Sequence, residues 1–170
     1  MWEDDESEVA YYDVDQVCLN GHVINDRYNE SPQNNKKHCP ECGELTITQC
    51  INCHADIPGY YNSTKVAALY TEPAPSYCHN CGKPYPWTEN KLKAAKELIE
   101  LQEQWQKLGK EEQASIEKSL ADITKDTPQA TVGATRLNKL LVKIGSGAGD
   151  ALKQIFVDVA SETAKKVLLG

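Results

Sequence analysis

The sequence has no uninterrupted apolar run of about 18 residues, so it offers no ordinary membrane-spanning helix. Its first residues, Met1-Trp2-Glu3-Asp4-Asp5-Glu6, have neither the basic start nor the apolar stretch of an export signal. The expectation is therefore a cytoplasmic protein, in which paired thiols favour a metal over a disulfide. Two or three disulfides are the alternative reading of its cysteines. Positive charge is scarce in the first half. Residues 1–17 hold seven acids and no Lys or Arg, and residues 18–90 hold seven acids against five bases. That shortage argues against a surface built to grip phosphates. No Ser-His-Asp set and no carboxylate pair placed for acid–base work occurs, so no enzymatic activity is expected. The run Gly145-Ser146-Gly147-Ala148-Gly149-Asp150 lacks the Lys-Ser/Thr that closes a phosphate-binding loop.

Cysteine, by contrast, is concentrated. All seven lie between Cys18 and Cys81, and six form the Cys-x-x-Cys pairs Cys39/Cys42, Cys50/Cys53 and Cys78/Cys81. The seventh, Cys18, precedes His22 in Cys18-Leu19-Asn20-Gly21-His22. Four hooks of two donors make eight ligands, which two closed tetrahedral zinc sites require. A two-residue gap lets both sulfurs of one turn point at a single ion. The expected metal ligands are thus Cys18, His22, Cys39, Cys42, Cys50, Cys53, Cys78 and Cys81, with His54 or His38 as the fallback imidazole. Seven thiolates and two Zn²⁺ together carry −3, which makes the cysteine-rich region more acidic still.

Glycine follows the second cysteine at Gly43 and Gly82, where a positive φ turns backbone N–H groups toward the sulfurs. The third hook, Cys50-Ile51-Asn52-Cys53-His54, has no such glycine and reads as a less regular turn. Short strands are expected over Val14–Val17, at Val23-Ile24 and over Leu45–Thr48. Few large aliphatic or Trp side chains serve residues 18–90, among them Val23, Ile24, Leu45, Ile47, Ile51, Ile57, Val66, Leu69 and Trp87. That is a thin core, so zinc, at about 10–16 kcal/mol per structural site, becomes a leading stabiliser.

Helical periodicity begins after the last hook. Thr88 suits an N-cap, with Trp87 and Leu92 as a hydrophobic staple across it. Leu98, Leu101, Trp105 and Leu108 form an amphipathic stripe, and a break near Gly109 precedes a helix through Ile116, Leu120 and Ile123. Asp126-Thr127-Pro128 ends it. Leu137, Leu140, Leu141 and Ile144 then mark one arm of a helical hairpin. Leu152, Ile155, Phe156, Val159, Ala160 and Val167 mark the other, a single last helix with Asp150 at its N-cap.

The fold class expected is α+β: a small tandem zinc-ribbon or treble-clef-like module of short β-hairpins, then an all-α C-terminal part. The expected organisation is an acidic mobile arm over 1–12, a double-zinc module over 13–88, amphipathic helices over 89–126 and a helical hairpin over 127–170. Spacing bears on how the hooks pair. Sixteen residues separate His22 from Cys39 and 24 separate Cys53 from Cys78, which suits two sequential ribbons. Interleaved pairing, as in a RING cross-brace, is the alternative.

The order Cys18-x-x-Gly-His-Val-Ile-Asn25, Cys39-Pro-x-Cys-Gly43, Cys50-x-x-Cys53 and Tyr77-Cys-x-x-Cys-Gly-x-Pro-Tyr-Pro-Trp-Thr88 resembles a bacterial family of zinc-ribbon proteins of unknown function. The resemblance covers about residues 13–105. It implies a bacterial, cytoplasmic protein with tandem zinc ribbons and no catalytic activity.

The resulting functional expectation is a zinc-binding structural or adaptor protein that mediates protein–protein interaction, its helical part serving oligomerisation, most simply as a homo-oligomer, or docking. Four alternatives stand beside it. Zinc ribbons also bind nucleic acid, for which Tyr60, Tyr61, Tyr85 and Trp87 are the available aromatics. The amphipathic tail, 127–170, can instead meet a membrane surface. A RING-like ligase module and a Cys-x-x-Cys redox protein are the enzymatic readings, the latter needing a pair free of metal.

Overall fold

The computed structural model describes residues 10–63 and 72–170. Residues 1–9 of the acidic arm, and the apolar Val66 and Leu69, lie outside the described residues. The chain is α+β, with short antiparallel strands in its N-terminal half and helices in its C-terminal half. It divides into two compact units between Trp87 and Thr88.

The first unit is made of two small sheets. Strand β1 (Ala10–Val14) pairs antiparallel with β5 (Pro58–Ser63) as a two-stranded ribbon. Strands β2 (Gln16–Cys18), β3 (Val23–Asn25) and β4 (Thr46–Ile47) form a three-stranded sheet in the order β3-β2-β4. The aromatic and β-branched residues of these segments suit a pleated surface. Residues 10–12, grouped with the acidic arm on composition, begin β1. Between β1 and β2 the chain turns at Asp15, whose N–H donates to the Ile57 carbonyl at 2.8 Å. Gly59 lies where the two sheets meet. A Cβ there would sit 2.8 Å from Asp15 N and closer still to the Asp26 carbonyl, so no side chain fits. The loop after β3 is tied down by Asp13. Its buried carboxylate accepts hydrogen bonds from the backbone of Val14, Asn29 and Glu30 and from Asn29 Nδ2.

The core of this unit is small, with Val17, Ile57, Tyr85 and Trp87 packed among Cys50 and Cys78. Tyr85 and Trp87 stack at 4.6 Å between centroids, and Trp87 Nε1 donates to the Pro75 carbonyl at 2.8 Å. Trp87 therefore belongs to this core and does not staple a helix. Helix α1 (Pro86–Glu100) starts two residues before the expected cap, which places Thr88 inside its first turn. Proline at that start gives up no N–H that the helix could use.

In the second unit α1 is followed by α2 (Glu103–Gln106), α3 (Lys110–Ile123), α4 (Pro128–Ile144), α5 (Ala148–Val159) and α6 (Glu162–Leu169). The expected stripe is interrupted after Glu100. Gln102 takes an extended ψ of 136° and leaves Leu101 78% exposed, so Leu101 does not join Leu98 and Trp105. The single last helix is two helices. Ala160 is extended (ψ 144°), Ser161 N–H reaches the Ile123 carbonyl at 2.7 Å, and Ser161 Oγ caps α6 through Ala164 N–H. Asp150 is the third residue of α5, not its cap, and accepts from Gly147 N–H. Ile123, Leu137, Leu152, Phe156 and Ala164 are fully buried together, so the stripes of α3 to α6 face one another in a small bundle. Gly133 allows α4 to approach α3 closely, since a Cβ there would meet the Ser119 carbonyl at 3.0 Å. Among the described residues no helix is long and apolar enough to cross a membrane.

Candidate metal centres

Three of the hooks share one backbone form. In each, the first cysteine's N–H reaches the carbonyl five residues on: Cys39 to Glu44, Cys50 to Ala55 and Cys78 to Lys83, at 2.8–2.9 Å. The residue after the second cysteine donates back to the first cysteine's carbonyl, from Gly43, His54 and Gly82, each at 2.9 Å. Single bridges close the turns, joining His38 to Leu45, Gln49 to Asp56 and Tyr77 to Pro84. The third hook is thus as regular as the others. His54 adopts φ 60° where glycine takes 77° and 69° in its sisters. The first hook is tighter, with Gly21 N–H on the Cys18 carbonyl and Cys18 N–H on the His22 carbonyl. Gly21 has φ 90°, and a Cβ there would press on Trp87 at 3.0 Å.

Strand pairing brings the hooks together. Cys18 ends β2, and β4 pairs with β2 through Cys18↔Thr46 and Val17↔Ile47, which brings the 39–42 turn beside the 18–22 turn. The result is one group of Cys18, His22, Cys39 and Cys42 and a second of Cys50, Cys53, Cys78 and Cys81. Within each group all donor atoms lie within 4.8 Å of one another. The pairing is sequential. His38, His54 and His79 are exposed and stand outside both groups.

The separations can be compared with what zinc requires. With Zn–S about 2.3 Å, a regular tetrahedron has S···S edges of about 3.8 Å. Cys18–Cys42 and Cys50–Cys81 are 3.8 Å apart, and Cys53–Cys78 are 3.6 Å apart. His22 Nδ1 lies 3.4 Å from the sulfurs of both Cys18 and Cys39, near the N···S edge of about 3.6 Å that the same geometry gives. A disulfide would need about 2.0 Å, and all seven cysteines are free. Both groups therefore fit a tetrahedral ion with thiolate and imidazole donors.

The surroundings of some of the thiols favour the anion. Hydrogen bonds from Glu44 N–H and Asn20 Nδ2 bring the Cys42 thiol down to about 6, and the N–H groups of Cys81 and Asn80 do the same for Cys78. Burial pushes Cys18 the other way. His22 Nε2 lies 3.5 Å from Glu41 Oε2. Nδ1 is the ring nitrogen that faces the sulfurs of Cys18 and Cys39. Sequence reasoning passed over Glu41 and Asn20. The available signal was an acid and an amide placed inside two of the hooks, where a side chain can reach back to a ligand.

Comparison with known proteins adds a family. A family model described as an uncharacterized protein conserved in bacteria (DUF2321) matches residues 11–168, through both units. No curated protein and no solved structure matches the chain.

Proposed function

The chain belongs to that uncharacterised bacterial family, and we propose that it is a cytoplasmic, non-enzymatic adaptor. Two zinc ions order its first unit, which presents a surface to another protein. The observation that carries this reading is the closure of both groups. Four donors converge in each, and together they use every cysteine of the chain. A closed four-donor site leaves no position for the water that hydrolytic zinc activates, and no Cys-x-x-Cys pair is left for redox work.

Other observations weigh against the alternatives. Two of the four aromatics available for stacking on bases, Tyr85 and Trp87, are buried at 1% and 3% exposure. The sequential grouping lacks the crossed pairing of a RING module. The tail's stripe faces inward, with Phe156 and Leu152 at 0% exposure, which removes the apolar face that a lipid interface would take. The helical unit is proposed to self-associate or dock. Val142, 82% exposed, and Leu169, 61% exposed, are the most exposed large apolar side chains of its last helices.

Elemental analysis of the freshly purified chain should give two zinc ions, and capture of partners from the native cell should succeed with the metal-loaded protein and fail after chelation. One ion per chain, or iron in place of zinc, refutes the metal assignment. In light scattering, Val142→Asp should dissociate a wild-type oligomer while leaving two zinc ions bound. A wild-type monomer refutes self-association.

A further inference from the structure

We infer that the face of the β1–β5 ribbon carrying Tyr12 and Tyr61 is a docking site for a cationic, Arg/Lys-rich polypeptide segment. This deepens the adaptor reading and rests on it, since it states the chemistry of the partner.

The ribbon has two unlike faces. Side chains alternate along a strand, and Tyr12 is paired with Tyr61, so these two rings share a face with Ala10 and Ser63. Their centroids are 4.9 Å apart and tilted at 48°. Tyr11 and Asn62 take the opposite face, where the Tyr11 hydroxyl donates to the Glu30 carboxylate. Tyr12 is 63% exposed, more than any other large apolar or aromatic side chain described in the first unit. An exposed ring beside a half-buried one, on what is a two-stranded ribbon among the described residues, forms a platform and not a core.

Charge decides what such a platform suits. Residues 1–87 hold thirteen acids and five bases. Five of those acids, Glu3, Asp4, Asp5, Glu6 and Glu8, directly precede the ribbon in sequence. The net negative charge of this stretch repels phosphate and attracts guanidinium and ammonium groups, which also bind over aromatic rings. The molecule shows the local chemistry itself, with the Arg27 guanidinium 3.7 Å above the centre of the Tyr60 ring. Tyr12 and Tyr61 offer equivalent seats to residues from another chain.

The test uses the full-length, zinc-loaded protein and a fluorescent Arg–Gly repeat peptide, with Ser–Gly and Glu–Gly peptides of equal length as controls. Fluorescence anisotropy should show binding of the Arg peptide alone, weakening at least about tenfold between about 50 and about 300 mM salt. The double variant Tyr12→Ser, Tyr61→Ser should weaken it a further tenfold or so. Tyr12→Phe with Tyr61→Phe should preserve it, because the rings remain. Zinc content and circular dichroism must match wild type in both variants. Absence of Arg-peptide binding, equal affinity in the double Ser variant, or binding of single-stranded RNA through the same tyrosines overturns the inference. If partner capture from the native cell persists in the double Ser variant, the ribbon inference falls and the adaptor reading stands. If wild type captures nothing, both fall.

Discussion

His54 holds a backbone conformation that glycine holds in two sister turns, and its side chain is exposed. A left-handed conformation costs a side-chain-bearing residue about 1–2 kcal/mol, while glycine gives back about 0.5–1 through the entropy of the unfolded chain. His54→Gly should therefore stabilise the zinc-loaded first unit by roughly 0.5–1 kcal/mol, measured by denaturant unfolding at fixed free zinc. A loss of stability would mean that the imidazole has a role its exposed position hides. Asp15 poses the opposite case. Its side chain is buried beside Asp26, Oδ1 has no hydrogen-bond partner, and burial, reinforced by the Asp26 charge, raises its carboxyl to about 7. An acid whose folded pKa lies above its unfolded value binds its proton more tightly in the native state. Its contribution to stability is present below the unfolded pKa near 4 and is lost as pH rises toward 7. Asp15→Asn should match wild type in stability near pH 4, and the gap in its favour should widen until about pH 8. Comparing the two proteins cancels the pH dependence that the thiolates bring. A constant gap across that range would show that Asp15 is not the group responsible.

At the scale of elements, Gly59 sets how β5 meets the turn between β1 and β2. Its would-be Cβ collides with backbone atoms of Asp15, Val14 and Asp26, which cannot swing aside as a flexible side-chain end can. Gly59→Ala should cost several kcal/mol, in the range of severe core damage. It should broaden amide signals of both β1 and β5 in NMR spectra. A substitution at Gly43, with open space around it but φ 77°, should cost only about 1–2 kcal/mol. Near-equal losses at the two positions would show that backbone conformation, and not crowding, governs Gly59. Sequence pattern carried some of this scale and missed the rest. The strands at Val23 and Thr46 and the break at Gly109 were legible from residue type. The halt at Gln102 and the split at Ala160 were not, because Leu101 and Val159 continue an apolar pattern through both. The split at Ala160 goes with a tertiary hydrogen bond, Ser161 N–H on the Ile123 carbonyl.

At the scale of the whole molecule, the two units rest on different forces. Among the described residues the first has a core of four large side chains packed among cysteines, whereas the second closes a bundle around Ile123, Leu137, Leu152 and Phe156 with no cysteine in it. Chelation should therefore unfold the first unit and leave the second. Far-ultraviolet dichroism should keep most of its helical signal while the amide dispersion of residues 10–63 collapses. Cooperative loss of both signals together would mean that the helical unit depends on the first. The sequence by itself marked out the candidate donors, because thiol and imidazole spacing is a local property of each turn, and it determined the α+β division, because periodicity changes after the last hook. Only the tertiary structure decided which hooks share a site, because Cys39 meets Cys18 through the pairing of β4 with β2, a contact between distant segments. It also decided the fate of the aromatics. Tyr85 and Trp87 read in sequence as available stacking surfaces, yet they stack on each other inside the core, while Tyr12 and Tyr61 meet on a ribbon whose strands lie far apart in the chain. Residue type records what a side chain can do; long-range pairing sets which side of the fold it faces.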